Sequence, residues 1–93
     1  MLEKKLWEDI SFLLGSKLCR KILECLNSSD KPLAPLQISK LTNIARSNVS
    51  TKLGLLVKRN FVKCINPETR KWRFYEITSK GKEVLKKVKE FEK

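Results

Sequence analysis

The apolar residues at the start of the chain recur every three or four positions, which predicts a helix running to about residue 14. Its inward stripe is Leu2, Leu6, Ile10, Leu13 and Leu14. Gly15 ends this helix, and Ser16 is suited to cap the next one because its hydroxyl can accept a hydrogen bond from the first turn. The second helix stops at the polar run 27–30 and turns three residues inward, Leu18, Ile22 and Leu26.

Two further helices follow in close succession. Pro35 fits the first position of a short helix over about 35–42, where its missing N–H is harmless. Ile38 and Leu41 are expected to point inward, and residues 42–44 make a tight break. A longer helix then runs from about 46 to 59, ending before Asn60, a residue type that tolerates left-handed backbone. Its expected inward residues are Val49, Leu53, Leu56 and Val57.

After residue 60 the pattern changes to a period of two. Residues 61–65 and 72–78 predict two strands joined by a turn over 66–71, and together they predict a β-hairpin. One face of the second strand carries Trp72, Phe74, Glu76 and Thr78. Thr78 or Ser79 is expected to cap a last helix. The inward stripe of that helix is Val84, Leu85, Val88 and Phe91.

This order of elements predicts a mainly α (α+β) fold of a recognisable kind. The short helix and the one after it form a helix-turn-helix, and the hairpin that follows has the position of a wing. A length of 93 residues favours one domain spanning 1–93. The fold class is therefore a winged helix-turn-helix domain with a two-stranded wing, flanked by N- and C-terminal helices.

The charge of +11 is confined to one part of the chain. Residues 1–30 contain five basic and five acidic residues, whereas residues 31–93 contain 16 basic and five acidic ones. A contiguous basic half favours a polyanionic partner, since phosphate attracts clustered Lys and Arg. No run of 18 apolar residues occurs and the first residues do not resemble a signal peptide, so we expect a cytoplasmic protein that does not enter a membrane.

The second helix of the helix-turn-helix has side chains suited to the major groove of double-stranded DNA. Six residues on its polar side can donate or accept hydrogen bonds at base edges or phosphates: Arg46, Ser47, Asn48, Ser50, Thr51 and Lys52. Arg46 can address guanine and Asn48 adenine, while Ser and Thr discriminate little. Three basic residues at the hairpin tip are expected on the flanking groove or backbone, Arg70, Lys71 and Arg73. Weaker phosphate candidates are Lys58, Arg59 and Lys80.

Residues 44–85 resemble winged helix-turn-helix transcriptional regulators of the MarR and ArsR types, including small archaeal members. The resemblance rests on the helix starting Ile44-Ala45-Arg46-Ser47-Asn48 and on the wing exit Ile77-Thr78-Ser79-Lys80-Gly81. It implies a homodimeric regulator. The helix at about 46–59 would bind in the major groove, and the wing at 66–73 would contact the flanking groove or backbone. Ala45 departs from the pattern, because a Ser or Thr cap is common there.

Other site chemistries find little support in the sequence. The chain has no His, no phosphate-cradling Gly loop and no plausible pair of carboxylates, so we expect neither an enzyme nor a cofactor. Cys19 and Cys25 are six residues apart on one helix and do not converge on a metal ion, and Cys64 lies in a strand. We expect these thiols to be structural, and a redox-sensing role is kept as the alternative.

The sequence leaves three questions open. The terminal helices, 1–14 and 79–93, are candidates for dimerisation, although they can instead pack on their own core. The same basic surface also suits a non-specific architectural nucleic-acid binder or a winged helix that recognises an acidic protein. No pattern in the sequence identifies the DNA site, the regulated genes or a small-molecule effector. The same holds for the choice between repression and activation.

Overall fold

The computed structural model describes residues 4–91. It contains five helices and a two-stranded sheet within that range. In chain order they are α1 (Lys4–Leu14), α2 (Lys17–Ser28), α3 (Pro35–Thr42), α4 (Arg46–Lys58), β1 (Val62–Cys64), β2 (Tyr75–Ile77) and α5 (Ser79–Phe91). The predicted order of elements is confirmed, and each helix ends within about two residues of its predicted bounds. The expected position of Leu2 lies outside the described residues.

Local signals in the sequence account for the helix ends. The Ser16 hydroxyl caps α2 by accepting a hydrogen bond from the Cys19 N–H at 3.3 Å. Pro35 occupies the first turn of α3, as predicted. Asn43 and Asn60 follow α3 and α4 with φ angles of 61° and 67°. Asn adopts this left-handed backbone more readily than most residues, which lets the chain leave both helices abruptly.

The core lies where the five helices and the sheet meet. Its largest fully buried side chains are Phe61, Ile10, Leu13, Ile22, Leu23, Ile38, Leu53, Leu56 and Leu85. The inward stripes predicted for the five helices supply all of this set except Leu23 and Phe61. Trp7 and Phe91 instead lie at its margin, with ring centroids 5.4 Å apart.

Four residues that were expected to point inward are exposed. Leu14, Leu41, Val57 and Phe91 are 40%, 68%, 36% and 51% exposed. Adjacent helical residues are about 100° apart around the axis, so Leu13 and Leu56 take the core positions and their successors turn outward. The short helix α3 buries Ile38 alone, and Phe91 lies beyond the core in the last turn of α5.

The hairpin is shorter than the sequence predicted. β1 and β2 are antiparallel, with Val62 opposite Ile77 and Cys64 opposite Tyr75. Residues 72–74, predicted as strand, belong to the loop, because Trp72 has a left-handed φ of 59°. Tyr75 also exchanges two backbone hydrogen bonds with Leu33, at 2.8 and 2.9 Å. The segment before α3 therefore lies beside β2 and ties the wing to the helix-turn-helix.

The start of α5 is joined to the end of α4 by a compact set of hydrogen bonds. The Thr78 hydroxyl accepts from the Gly81 N–H at 3.0 Å and donates to the Asn60 carbonyl at 2.6 Å. The Thr78 N–H donates to the Phe61 carbonyl at 2.9 Å. Thr78, rather than Ser79, is therefore the capping residue. The Thr-x-x-Gly spacing exists because Gly81 passes directly against the Phe61 carbonyl.

A buried carboxylate fastens α1 to the same junction. Asp9 is 4% exposed, and its two oxygens lie 3.5 Å from Arg59 Nη1 and 3.5 Å from Lys80 Nζ. The Arg59 guanidinium also lies 4.1 Å from the centre of the Phe12 ring. α1 is therefore held against the end of α4 and the first turn of α5 by charge as well as by apolar contact.

Two glycines give opposite predictions for substitution by alanine. A Cβ at Gly81 would collide with the Phe61 carbonyl oxygen and lie 2.8 Å from Ile77 Cγ1, whereas at Gly54 it would meet no atom within 4 Å. Gly81→Ala should therefore lower the free energy of unfolding by about 2 kcal/mol. Gly54→Ala should raise it by about 0.5–1 kcal/mol, since alanine favours a helix interior. Urea unfolding followed by circular dichroism measures both, and equal effects would contradict the close approach.

Candidate nucleic-acid interface

Two hydroxyl groups of α3 hold the turn between α3 and α4, and that turn sets the direction of α4. Ser39 Oγ donates to the Ile44 carbonyl at 2.6 Å. Thr42 Oγ1 donates to the Ile38 carbonyl at 2.7 Å and accepts from the Ile44 N–H at 3.3 Å. Ala45, in the cap position of α4, supplies no side-chain hydrogen bond. The first N–H groups of α4 are thus left for solvent or for an anion.

α4 presents three surfaces besides its buried face. The buried face carries Val49, Leu53 and Leu56. Ser47 and Thr51 lie on the side away from the core, with Thr51 Oγ1 donating to the Ser47 carbonyl at 3.0 Å. The two flanks between these faces carry the pairs Arg46/Ser50 and Asn48/Lys52. Members of each pair are one turn apart. The second pair lies two positions further along the helix than the first, which places the two pairs about 200° apart around the axis.

One flank of α4 forms a groove with the wing. The groove has a volume of about 530 Å³ and is lined by residues from the starts of α3 and α4 and from the wing: Ala34, Pro35, Leu36, Arg46, Ser50, Arg70, Lys71, Trp72, Arg73 and Tyr75. Four of these side chains are basic and none is acidic. A groove of this charge attracts phosphate or another polyanion.

The tip of the wing is fixed by hydrogen bonds within its own loop. Asn66 Nδ2 donates to the Trp72 carbonyl at 2.9 Å, and Asn66 Oδ1 accepts from the Phe74 N–H at 2.8 Å. Arg73 Nε and Nη2 donate to the carbonyls of Thr69 and Pro67, at 2.6 and 3.3 Å. Part of the Arg73 guanidinium therefore stabilises the loop, whereas Arg70 and Lys71 stay exposed.

The structure thus divides the nine residues predicted to contact DNA. Five of them line the groove: Arg46, Ser50, Arg70, Lys71 and Arg73. The other four lie on the outer side or the far flank of α4: Ser47, Asn48, Thr51 and Lys52. Two of the weaker phosphate candidates, Arg59 and Lys80, are engaged with Asp9 instead, because burial of that carboxylate requires cationic partners.

Sequence reasoning missed two aromatic residues of the groove, Trp72 and Tyr75. It placed Trp72 on one face of the second strand and assigned it no contact with DNA. The available signal was its position between basic residues, directly after Lys71 and before Arg73. The hydrogen bonds of Asn66 with residues eight and six positions away could not be read from the pattern.

The thiols are dispersed. Cys19 is buried, Cys25 is partly buried, and Cys64 Sγ lies 3.7 Å from Asn66 Oδ1. Within residues 4–91 no three Cys, Asp or Glu side chains are grouped so that they could hold a metal ion. Nor do the helices of this range include one with the length and apolarity needed to cross a membrane.

A family model for the IclR helix-turn-helix domain matches residues 21–64. These residues comprise most of α2, all of α3 and α4, and β1. The match therefore falls on the helix-turn-helix and on the first strand of the wing. No curated protein sequence gives a significant match.

Solved structures match nearly the whole chain. A MarR family transcription regulator superposes with a TM-score of 0.75 and wild-type MarR from E. coli, in its apo form, with 0.73, each at 18% identity over 94% of this chain. A mutant of E. coli MarR complexed with operator DNA gives 0.71, also at 18% identity over 94%. The fold is a winged helix-turn-helix. The winged helix seen here spans 58%, 64% and 62% of those three chains.

Cys25 provides a pH-dependent prediction for this winged helix. Burial raises the pKa of the Cys25 thiol above its ordinary value of 9.0. A raised pKa leaves less thiolate at neutral pH, so iodoacetamide should alkylate Cys25 more slowly in the folded protein than in urea. The labelling rate should rise with pH and reach half of its plateau value only above pH 9.0. Peptide mass spectrometry after timed labelling measures this, and rapid folded-state labelling at pH 7 would contradict it.

Proposed function

We propose that this protein is a transcription regulator that binds double-stranded DNA sequence-specifically. In this proposal α4 enters the major groove as the recognition helix, and the wing over 66–73 contacts the flanking groove or backbone. The observation that carries the proposal is the groove in which Arg46 and Ser50 of α4 lie beside Arg70, Lys71 and Arg73 of the wing. One continuous basic surface thus joins a base-reading helix to a backbone-contacting loop.

The electrostatics near the groove support a nucleic-acid partner over an acidic protein. Residues 45–82 contain ten basic residues and two acidic ones, Glu68 and Glu76. Glu76 is paired with Lys63 at 3.2 Å, which offsets its charge. The free N–H groups at the start of α4 add a partial positive charge to the same surface.

The comparisons support the same assignment. The mutant of E. coli MarR that shares the fold is in complex with operator DNA, and a helix-turn-helix family model matches the segment that contains α3 and α4. We therefore propose a MarR-type regulator that represses transcription by occupying a promoter. Its proposed location is the cytoplasm. Since the proposed relatives are transcription regulators, we infer a role without catalysis.

We also propose that the protein acts as a homodimer through its terminal helices. α1 and α5 pack on each other and bury Ile10, Leu13 and Val88 within the chain itself. Trp7 and Phe91 remain 44% and 51% exposed at the open end of this helix pair. Contact between two such aromatic surfaces across a two-fold axis would place two copies of α4 in successive major grooves, about 34 Å apart.

A second candidate function is non-specific binding to nucleic acid. It is favoured by the side chains on the outer side of α4, where Ser47 and Thr51 discriminate little between bases. A non-specific binder uses the same basic groove without base readout, and its affinity depends steeply on salt with little sequence preference.

Selection of sites from a random duplex library at about 150 mM salt separates these functions, because non-specific binding is weak there. We expect an inverted repeat whose half-sites are about one helical turn apart. Recovery of no motif, with binding at low salt only, would favour the non-specific function. Absence of binding even at low salt would overturn both and favour an acidic protein partner.

Asn48 tests the placement of α4. Truncating its side chain to a methyl group removes the carboxamide that can pair with adenine, so Asn48→Ala should relax sequence preference by about 1–3 kcal/mol at one base pair. Affinity for random duplex should change little. Competition binding with single-base variants of the selected site measures the effect, with Asn27→Ala on α2 as control. An equal loss for every sequence would show that α4 is docked differently.

Arg70 tests the wing. Arg70→Ala should weaken binding to all sequences by a similar factor and reduce the slope of log affinity against log salt by about 1. Fluorescence anisotropy of a labelled duplex at several salt concentrations measures the slope. Lys86→Ala removes one charge from the exposed side of α5 and should leave the slope nearly unchanged. Equal slopes for the two variants would place Arg70 away from the DNA.

A further inference from the structure

Trp72 is the most exposed large apolar side chain in the described part of the chain, at 70%. Across residues 4–91 its ring neither pairs with another aromatic ring nor lies beneath a cation. The fold therefore does not use the indole for packing. Exposure of so large an apolar surface is unfavourable in water and is typical of a contact surface.

The backbone of Trp72 is nevertheless held in place. Its φ of 59° lies in the left-handed region, which is unfavourable for a bulky residue. The Asn66 side chain maintains it by donating to the Trp72 carbonyl at 2.9 Å and accepting from the Phe74 N–H at 2.8 Å. Arg73 closes the same loop through the Thr69 carbonyl at 2.6 Å. A strained residue held by surrounding hydrogen bonds is common at functional sites.

The surroundings of Trp72 indicate what it contacts. The indole lines the groove together with Arg46, Ser50, Arg70 and Lys71. The basic residues suit phosphates, but a phosphate cannot bury an indole. In DNA the apolar surfaces beside the phosphates are the sugars and the faces of the bases, and apolar side chains reach base steps through the minor groove.

We propose that Trp72 contacts DNA: its indole enters the minor groove next to the major-groove segment bound by α4 and packs against a base step. The inference rests on the proposed function and extends it. Arg70 and Lys71 hold the flanking phosphates, and the rigid loop presents the ring without further ordering. Because unstacking costs least at flexible pyrimidine–purine steps, this contact favours such steps outside the sequence read by α4.

Tryptophan fluorescence tests the contact directly, since the chain has two Trp residues. Trp7→Phe keeps an aromatic ring at the proposed dimer contact and leaves Trp72 as the single emitter, and Trp72→Phe leaves Trp7 as the matched control. Each variant is titrated with a 5′-fluorescein-labelled 30-base-pair duplex from the selection, or one of mixed sequence at low salt if selection recovers none. Anisotropy of the label reports binding independently. On saturation we expect Trp72 emission to be quenched and shielded from acrylamide, and Trp7 emission to be unchanged.

Substitutions of Trp72 give a second readout. Trp72→Gly should weaken duplex binding about tenfold, because the contact between the aromatic ring and the base is lost. The salt slope should stay unchanged because no phosphate contact is lost. Glycine accepts the left-handed backbone, so the urea midpoint should not fall, which separates lost contact from lost fold. Trp72→Phe should retain most of the affinity.

The outcomes separate the inference from the function it extends. Duplex binding with unaltered Trp72 emission and wild-type affinity of Trp72→Gly would overturn the minor-groove contact and leave the regulator proposal intact. Tighter binding and stronger quenching by a single strand of the same length would also overturn it, in favour of a single-stranded partner. No binding of any duplex would overturn the contact and the proposed function together.

Discussion

The close approach of α5 to the Phe61 carbonyl governs how the helix-turn-helix, the wing and the last helix are joined. That carbonyl accepts the Thr78 N–H and leaves no room for a Cβ at Gly81, while the Phe61 side chain is fully buried. α4, the wing and α5 therefore meet at one point. The antiparallel pairing of β1 with β2 and the bridge from Tyr75 to Leu33 then fix the wing beside α4.

Charge is used differently on the two sides of this junction. Beneath it, Arg59 and Lys80 satisfy the buried carboxylate of Asp9, so they stabilise the attachment of α1 and contribute less to the outer surface. On the other side, Arg46, Arg70 and Lys71 line a groove without acidic residues. Unpaired cations repel each other in the folded state, and a polyanion relieves that repulsion. The basic groove is thus better explained by binding than by stability.

The wing combines a rigid loop with side chains that the fold leaves unused. The side chains of Asn66 and Arg73 form hydrogen bonds with the loop backbone. The side chain of Trp72 remains exposed to solvent. Ordering the loop before binding reduces the entropy lost when a partner is engaged. A preorganised tip of this kind suits a contact that must enter a groove at a defined distance from α4.

The number and order of the helices, the hairpin and the position of the helix-turn-helix follow from the amino-acid sequence alone. Those features depend on local periodicity and on capping residues such as Ser16, Pro35 and Asn60, whose effects act over a few positions. The sequence also indicates which segments are basic. Which of these side chains share a surface depends instead on how the folded chain packs. The groove joins residues 46 and 73, and Asp9 meets residues 59 and 80, through contacts set by packing between distant segments. Chain-neighbour patterns do not record such contacts, so the loop conformation of Trp72 and the ion pair between Arg59 and Asp9 are visible only in the folded chain.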